Sequence, residues 1–152
     1  IRETEFGRTS FSKARFNNTE IQRCDFSEVF ANDLSVFRCN FQNNLFNTSD
    51  ITGSEFTNCE FNHCTFKDAF LTKAKFRQCR FNDCDFSRSS AQESVFSSCK
   101  FVKVNFGQAF LDGSQWSEYS FSDVQFRGAS LNGAVIRSNN KTIDFQGALG
   151  LQ

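Results

Sequence analysis

The sequence predicts an all-β solenoid, in which the chain winds into stacked coils that have four short sides each. From Ile1 to Ile136 every fifth residue is apolar, and 17 of these 28 residues are Phe in a chain that is only 39% hydrophobic. The residue two places before each of them is Ala, Cys, Ser, Thr or Val at 24 of 27 positions, the exceptions being Leu34, Asn44 and Tyr119. Uninterrupted repetition of this kind is typical of a repeat architecture.

Each five-residue unit is expected to form one side and one corner. Side chains alternate between the two faces of a strand, so the small and the large residue point inward and the residue between them points outward. A period of five does not continue this alternation, and the other two residues therefore turn a corner. An α-helix is excluded, because residues five apart lie about 140° apart around its axis.

A longer period of twenty residues sets the number of sides in a coil. When the large inward residues are sorted by twenties, one column contains only Phe: Phe6, Phe26, Phe46, Phe66, Phe86, Phe106 and Phe126. Another column contains a single Phe: Phe11, Ala31, Ile51, Leu71, Ala91, Leu111 and Leu131. Because stacked positions share their chemistry, four units complete one coil. Residues 1–136 then give about seven coils and, at about 4.8 Å per coil, a rod roughly 33 Å tall.

The units at residues 59–68, 79–88 and 99–103 resemble the pentapeptide-repeat family. They read CEFNH, CTFKD, CRFND, CDFSR and CKFVK, which follow that family's order of a small, a polar and a large apolar residue before two mostly polar ones. The resemblance covers about nine-tenths of the chain and implies a right-handed quadrilateral β-helix over residues 1–136. It identifies a fold better than a function, since one fold hosts many functions.

The stretch CEFNHCTFKDAF, residues 59–70, combines two cysteines with the only histidine, as a metal site would. In the predicted coil Cys59 and Cys64 point inward on successive sides, whereas His63 lies in a corner and faces solvent. These side chains diverge, while zinc needs ligands that converge at about 2.3 Å. All seven cysteines occupy the small slot, so we expect packed free thiols, no metal, no disulfide and a cytoplasmic protein.

The sequence indicates neither a catalytic site nor a cofactor. The coil brings no Ser/His/Asp or Cys/His set together, and Asp83 and Asp85 fall in a corner and an outward position, where both stay solvated. No glycine loop that cradles phosphate is found, and Phe is expected to fill the interior. We therefore expect a protein that is not an enzyme.

Composition argues against direct binding of nucleic acids and membranes. Seventeen basic and seventeen acidic side chains cancel, so the chain has neither the basic excess of a nucleic-acid binder nor the acidic excess of a DNA imitator. No stretch approaches the eighteen consecutive apolar residues that indicate a transmembrane helix. The expected partner is a protein.

Three phenylalanines depart from the polar character of the outward positions. Phe30, Phe70 and Phe110 recur on one side, forty residues apart, with Asp50 and Ser90 on the coils between them. One interpretation is a contact strip for a partner or a second copy of the chain. The other is that the rings lie down over small inward residues, since Ala31 neighbours Phe30.

A second departure is a cluster of basic residues. It consists of Lys73, Lys75, Arg77 and Arg80, followed one coil later by Lys100 and Lys103. The simplest interpretation is a solvated face, and the alternative is a docking site for an acidic partner.

The C-terminal residues 137–152 leave the repeat. The end of a solenoid exposes an unpaired coil unless something covers it, and four apolar residues are candidates for a cap: Ile143, Phe145, Leu149 and Leu151. In the family that the repeat resembles, this end often joins two copies. The sequence thus predicts a β-helix over 1–136 and a cap or dimerisation segment over 137–152, with a homodimer as the expected assembly.

Three functional hypotheses follow. The first is a non-catalytic scaffold that presents a rigid surface to a protein. The second is a DNA-mimicking topoisomerase (gyrase)-binding protein, because units such as Phe76–Phe81 look similar to the quinolone-resistance group of the family, although a neutral surface fits that role poorly. The third is the repeat lobe of a larger secreted bacterial effector, since a chain that starts at Ile1 and holds no Met is expected to be a fragment.

Overall fold

Short strands form at the five-residue units, each centred on a large apolar residue. The computed structural model describes residues 1–151, and within them it contains thirteen strands and one helix. The strands are β1 (Arg15–Asn17), β2 (Glu20–Gln22), β3 (Ser35–Phe37), β4 (Asn40–Gln42), β5 (Glu55–Thr57), β6 (Glu60–Asn62), β7 (Lys75–Arg77), β8 (Arg80–Asp85), β9 (Val95–Ser97), β10 (Lys100–Asn105), β11 (Gln115–Ser117), β12 (Ser120–Gln125) and β13 (Val135–Arg137). The helix, α1, spans Lys141–Asp144.

Two sides of the coil form continuous parallel sheets. Side 1 has the strand order β1-β3-β5-β7-β9-β11-β13, and side 2 has the order β12-β10-β8-β6-β4-β2. Paired residues are twenty positions apart, as Phe56 is with Phe76 on side 1 and Phe61 with Phe81 on side 2. This register confirms the predicted all-β fold, a parallel β-helix whose coil takes twenty residues.

The remaining two sides are joined mostly by single bridges with the same spacing, although β8, β10 and β12 continue onto side 3 and pair there, as Val104 does with Cys84 and Val124. Side 3 carries the bridged residues Asp25, Leu45, Thr65 and Asp85, and side 4 carries Ser10, Phe30, Asp50, Phe70, Ser90, Phe110 and Ser130. Backbone hydrogen bonds cross every coil boundary here too, for example from the amide of Ala31 to the carbonyl of Asp50 at 2.7 Å. Each coil is thus bonded to the next on all four sides.

The corners depend on left-handed backbone. The residue two positions after the large one has a positive φ along the rod, except at Arg8, where Gly7 takes this conformation instead. Within residues 1–151, 22 residues with a positive φ are not glycine, and their φ lies between 48° and 62°. This conformation is unfavourable for most L-residues. It is retained because the corner amide gains a partner in the neighbouring coil, as His63 does by donating to the carbonyl of Asn82 at 2.9 Å.

The core consists of aromatic ladders that run along the rod. Rings in the same column stack nearly parallel, as Phe46, Phe66 and Phe86 do with centroids 4.8 Å and 4.5 Å apart. Rings on successive sides meet edge to face, such as Phe61 and Phe66 at 5.6 Å and 69°. Both geometries are favourable for aromatic pairs, so the repeat spacing itself produces a well-packed interior.

A buried polar residue in the small slot is fully paired. The side-chain oxygen of Asn44 accepts from the amide of Cys24 at 2.9 Å, and its nitrogen donates to the carbonyl of Ile21 at 2.8 Å. Burial without such partners would cost free energy. This pairing explains why the small-residue rule is broken at this position.

The last coil is covered by the segment that follows β13. Phe145 is buried and lies against Trp116 at 5.2 Å, Phe121 at 5.2 Å and Phe126 at 4.5 Å. The hydroxyl of Tyr119 donates to the carboxylate of Asp144 at 2.8 Å, which fixes α1 to the rod. Of the segment 137–152, the last residue, Gln152, lies outside the described residues. That this segment also joins two copies stays a prediction.

Truncating a ring in the middle of a ladder should destabilise the rod. Phe76 is buried between Phe56 at 5.0 Å and Phe96 at 5.3 Å, so Phe76→Ala leaves a cavity and should lower the free energy of unfolding by about 3–5 kcal/mol. Urea unfolding followed by circular dichroism measures it. The control is Phe37→Ala, because Phe37 is 37% exposed, and this change should cost less than about 1 kcal/mol. Equal losses for the two variants would contradict the packing described here.

The single tyrosine reports on the cap. Burial, aided by the carboxylate of Asp144, raises the pKa of Tyr119 to about 12. A raised pKa means that the folded state holds the proton more tightly, so the contribution of Tyr119 to stability is complete below about pH 10 and is lost as the pH rises through 12. Absorbance at the phenolate band should therefore titrate later in the native protein than in urea. Identical midpoints would show that the cap does not cover this ring.

Candidate interaction surface

Side 4 presents a regular row of half-exposed rings. Phe30, Phe70 and Phe110 occupy its outward slot and are 52%, 49% and 48% exposed. The bridges between Phe30, Asp50 and Phe70, and those through Ser90 to Phe110, place polar residues on the coils between them. The rings therefore recur on every second coil, roughly 10 Å apart.

These rings are half covered by the rod itself. The inward residues beside them, Ala31, Leu71 and Leu111, are at most 2% exposed with the rings in place. Each ring also keeps about half of its surface in water, which is unfavourable for an apolar side chain unless something covers it. Both interpretations, a contact strip and rings that lie down over the inward residues, stay predictions.

The C-terminal segment adds a fourth apolar residue to this row. Leu149 forms a bridge with Ser130, its amide donates to the carbonyl of Ala129 at 2.7 Å, and its carbonyl accepts from Leu131 at 2.8 Å. It thereby takes the outward slot one coil beyond Ser130 and is 59% exposed. We call Phe30, Phe70, Phe110 and Leu149 the side-4 strip.

The four cap candidates have different surroundings. Phe145 is buried and Leu151 packs against the core, whereas Ile143 is strongly exposed and Leu149 belongs to the side-4 strip. Sequence reasoning missed the place of Leu149, because the segment after residue 136 leaves the five-residue period. A spacing of nineteen rather than twenty from Ser130 hides it from a periodicity search.

Charge pairs flank side 4 at both corners. On the corner with side 3, Arg88 donates two hydrogen bonds of 3.0 Å to the carboxylate of Asp68, and these bonds lower the pKa of Asp68. On the corner with side 1, Lys73 lies 4.0 Å from Glu93. Each pair joins residues that are twenty positions apart in the sequence. This spacing indicates an ion pair only when the length of the coil is known.

The predicted basic cluster is spread over two sides and two corners. Lys75 pairs with Glu55 at 2.9 Å, and Lys73 is near Glu93 as described above. Arg80 and Lys100 are opposite each other in the register of side 2. Arg77 is on side 1 and Lys103 is in the corner after side 2. Lys73 and Lys75 are thus close to carboxylates, and an acidic docking site here stays a prediction.

The Cys/His stretch is not arranged as a metal site. His63 is exposed and its Nδ1 lies 2.8 Å from Asp83 Oδ2, while Cys59 and Cys64 are buried. The Cys64 thiol donates to the carbonyls of Phe41 and Asn62. Within residues 1–151 no group of three or more His, Cys, Asp or Glu side chains is placed to hold a metal ion.

The buried thiols should be unreactive in the folded protein. All seven cysteines are free and buried. Burial raises the pKa of Cys64 to about 11 and also raises that of Cys84, whereas a hydrogen bond with Cys79 lowers the pKa of Cys59 and of Cys99. Because a reagent must reach the thiolate and all seven sulfurs are buried, we expect less than one thiol per chain to react with an aromatic disulfide reagent at pH 8. All seven should react in urea. Rapid reaction of several thiols in the native state would contradict this packing.

The interior offers no room for a substrate. A cavity of about 20 Å³ lies near the first coils, lined by apolar residues that include Phe11, Ile21 and Ala31. This volume corresponds to about one water molecule, and its walls bear no group for chemistry. In the described part of the chain no helix is long and apolar enough to cross a membrane.

Comparison with known protein families identifies the repeat. The family model described as the pentapeptide repeat region matches residues 59–136, which is just over half of the chain. The chain belongs to the pentapeptide-repeat family. This membership agrees with the coil of twenty residues and the four sides seen in the structure. A comparison with curated protein sequences finds no match.

Comparison with solved structures finds a similar fold. Trypsin-treated QnrB1, described as a plasmid-mediated fluoroquinolone resistance protein, aligns with 97% of this pentapeptide-repeat chain and 86% of its own, at 17% identity and a TM-score of 0.57. A pentapeptide repeat protein from the Arabidopsis thaliana thylakoid lumen aligns with 90% of this chain and 73% of its own, at 17% identity and a TM-score of 0.37. At 17% identity the likeness to QnrB1 concerns the fold alone.

Proposed function

We propose that this pentapeptide-repeat protein is a non-catalytic scaffold that binds a protein through the side-4 strip. The observation that carries the proposal is the row Phe30, Phe70 and Phe110, half-exposed on a rigid ladder. At about 200 Å² for a whole Phe side chain, the exposed parts of the three rings amount to roughly 300 Å². This area is divided among three rings with Asp50 and Ser90 between them, so it is the regular row, rather than one contiguous patch, that supports a contact surface.

The rigidity of the rod supports a scaffold that presents the rings of the side-4 strip to a partner protein. Each coil is bonded to its neighbours on all four sides, so the spacing between the rings is fixed before a partner arrives. Rings held in place lose little conformational entropy on binding. The other exposed apolar residues, such as Phe37 on side 1 and Leu45 on side 3, are scattered and form no comparable row.

The remaining surface favours a protein over a nucleic acid or a membrane. Acidic and basic residues balance, and many of them pair across coils, as Arg8 does with Glu28 at 3.1 Å. Affinity for nucleic acids comes chiefly from unpaired Lys and Arg that neutralise phosphates. Free thiols are consistent with a cytoplasmic protein, or with secretion if the chain is a lobe of an effector.

Site-specific photo-crosslinking in the source cell tests the scaffold role. A photo-reactive benzoyl-phenylalanine replaces Phe70, and the matched control places it at Ser35, an exposed residue in the same slot on side 1. We expect covalent protein products from position 70 and few or none from position 35. Absence of products from position 70, or equal amounts from both positions, would refute a contact surface on side 4.

Binding to a type II topoisomerase is a second candidate. The fold likeness to QnrB1, with a TM-score of 0.57 over 97% of the chain, favours it, while the balanced charge of the surface opposes DNA mimicry. A gyrase supercoiling assay with and without a fluoroquinolone distinguishes the two roles. Protection or inhibition at micromolar protein would support gyrase binding, and no effect would dismiss it. The boundaries of the full-length gene would test the effector-lobe hypothesis.

A further inference from the structure

The spacing of the side-4 strip leaves a gap that matches one apolar side chain. Rings in the interior that are on successive coils stack at centroid distances such as 5.0 Å for Phe26 and Phe46. Rings of the strip are two coils apart, roughly 10 Å. A side chain inserted midway between Phe30 and Phe70 would therefore stand about 5 Å from each ring, the distance that the interior uses. The residue beneath that midpoint, Asp50, is not apolar and does not fill the gap.

We infer that the side-4 strip binds a second copy of this chain, in the antiparallel direction, so that the two strips interleave. The inference rests on the proposed function and names the partner of that same surface. A two-fold axis between the coils of Phe70 and Ser90 places Phe70 over Ser90 of the second copy. The same operation places Phe110 over Asp50, Phe30 over Ser130, and Leu149 over Ser10. Every gap in one strip then receives one side chain from the other, as an isologous interface requires.

The charges on both edges of side 4 agree with this arrangement. The two-fold axis brings Asp68 opposite Arg88 of the second copy at one corner, and Lys73 opposite Glu93 at the other. Both existing ion pairs thereby become four-charge clusters with alternating sign. Towards the ends of the interface the charged corner residues face small ones, as Glu28 faces Gly128 and Asp33 faces Gly133 of the second copy, so like charges do not meet.

A parallel arrangement fits less well. It would place each ring against the same ring of the second copy and leave the gaps empty. It would also bring Arg8 beside Lys13 and Glu28 beside Asp33, which are on the two corners of the same coils. Like charges at an interface oppose association, although Asp68 beside Lys73 and Arg88 beside Glu93 on the middle coils would attract. The antiparallel direction is therefore the one that shape selects, and its corner contacts join no like charges.

The size of side 4 indicates a weak dimer. A rod roughly 33 Å tall with sides about 10–15 Å wide buries roughly 300–500 Å² per copy, less than the roughly 800 Å² of a standard stable interface. The carboxylate of Asp50 also becomes partly covered by Phe110. We therefore expect a reversible equilibrium between monomer and dimer in the micromolar range or above, visible only at high concentration.

Cysteine crosslinking tests both the partner and the direction. Asn32 and Asn132 are the first corner residues after side 4, on coils five apart, roughly 24 Å along one rod. The antiparallel axis places Asn32 opposite Asn132 of the second copy. Asn32→Cys and Asn132→Cys chains are treated with a short bismaleimide, separately and mixed. We expect covalent dimers in the mixture only, because the seven native thiols are buried. Dimers from Asn32→Cys alone would overturn the antiparallel register.

Sedimentation over a concentration series gives the second measurement. Phe70→Ser with Phe110→Ser should raise the dissociation constant of the dimer by about tenfold or more, while Phe37→Ser, an exposed ring on side 1, should leave it unchanged. Equal effects of the two changes, or a chain that stays monomeric at millimolar concentration, would overturn the inference. Monomeric protein that still crosslinks another protein from position 70 would refute self-association and leave the scaffold role standing. No product from that position refutes both.

Discussion

The structure depends on one constraint, which is that each coil closes after twenty residues and bonds to the next coil in register. The backbone bridges between coils obey this spacing from Arg2 with Gln22 to Phe110 with Ser130, and only the bridge from Ser130 to Leu149 of the C-terminal segment departs from it. Once the backbone is fixed in this way, each residue lies directly over its equivalent in the previous coil. Ring stacking, corner ion pairs and the surface row of phenylalanines all follow from it, because each of them is an interaction between equivalent positions.

Register also explains why unfavourable local conformations persist. A left-handed corner costs free energy for residues such as His63, Lys73 or Asp83. The corner amide, however, is bonded to the next coil, and a straighter path would remove the inward residues of the following unit from the core. The backbone strain of each corner is thus offset by the hydrogen bonds and ladders that the corner makes possible.

Much of this fold was predictable from the sequence. A period of five combined with the strand period of two requires a corner, and the all-Phe column from Phe6 to Phe126 indicates coils of four sides. The buried environment of the cysteines follows from their place in the small slot. The conformation of the corners could not be predicted, because the sequence there includes Glu, Arg and Thr, which do not favour positive φ.

Of the candidate surface, the row of rings was predictable and its extent was not. Phe30, Phe70 and Phe110 keep the period of the repeat, so their spacing of forty residues is visible in the sequence. Leu149 joins them only because the chain after α1 returns to side 4 with one residue fewer, a path that depends on how Phe145 packs on the last coil. The corner ion pairs at a spacing of twenty had a signal in the sequence, but it has meaning only once the coil length is known.

The alternation of apolar and polar residues on side 4 affects how such a chain can change its length in evolution. Loss or duplication of a single coil, twenty residues, would preserve every hydrogen bond of the ladder and leave the tube intact. It would also place two apolar or two polar outward residues of side 4 on adjacent coils, so that the alternation along the row would be broken at that point. Gain or loss of a pair of coils, forty residues at a time, preserves the surface as well as the fold. The row of rings on side 4 therefore tolerates length changes of forty residues, whereas the backbone ladder tolerates changes of twenty.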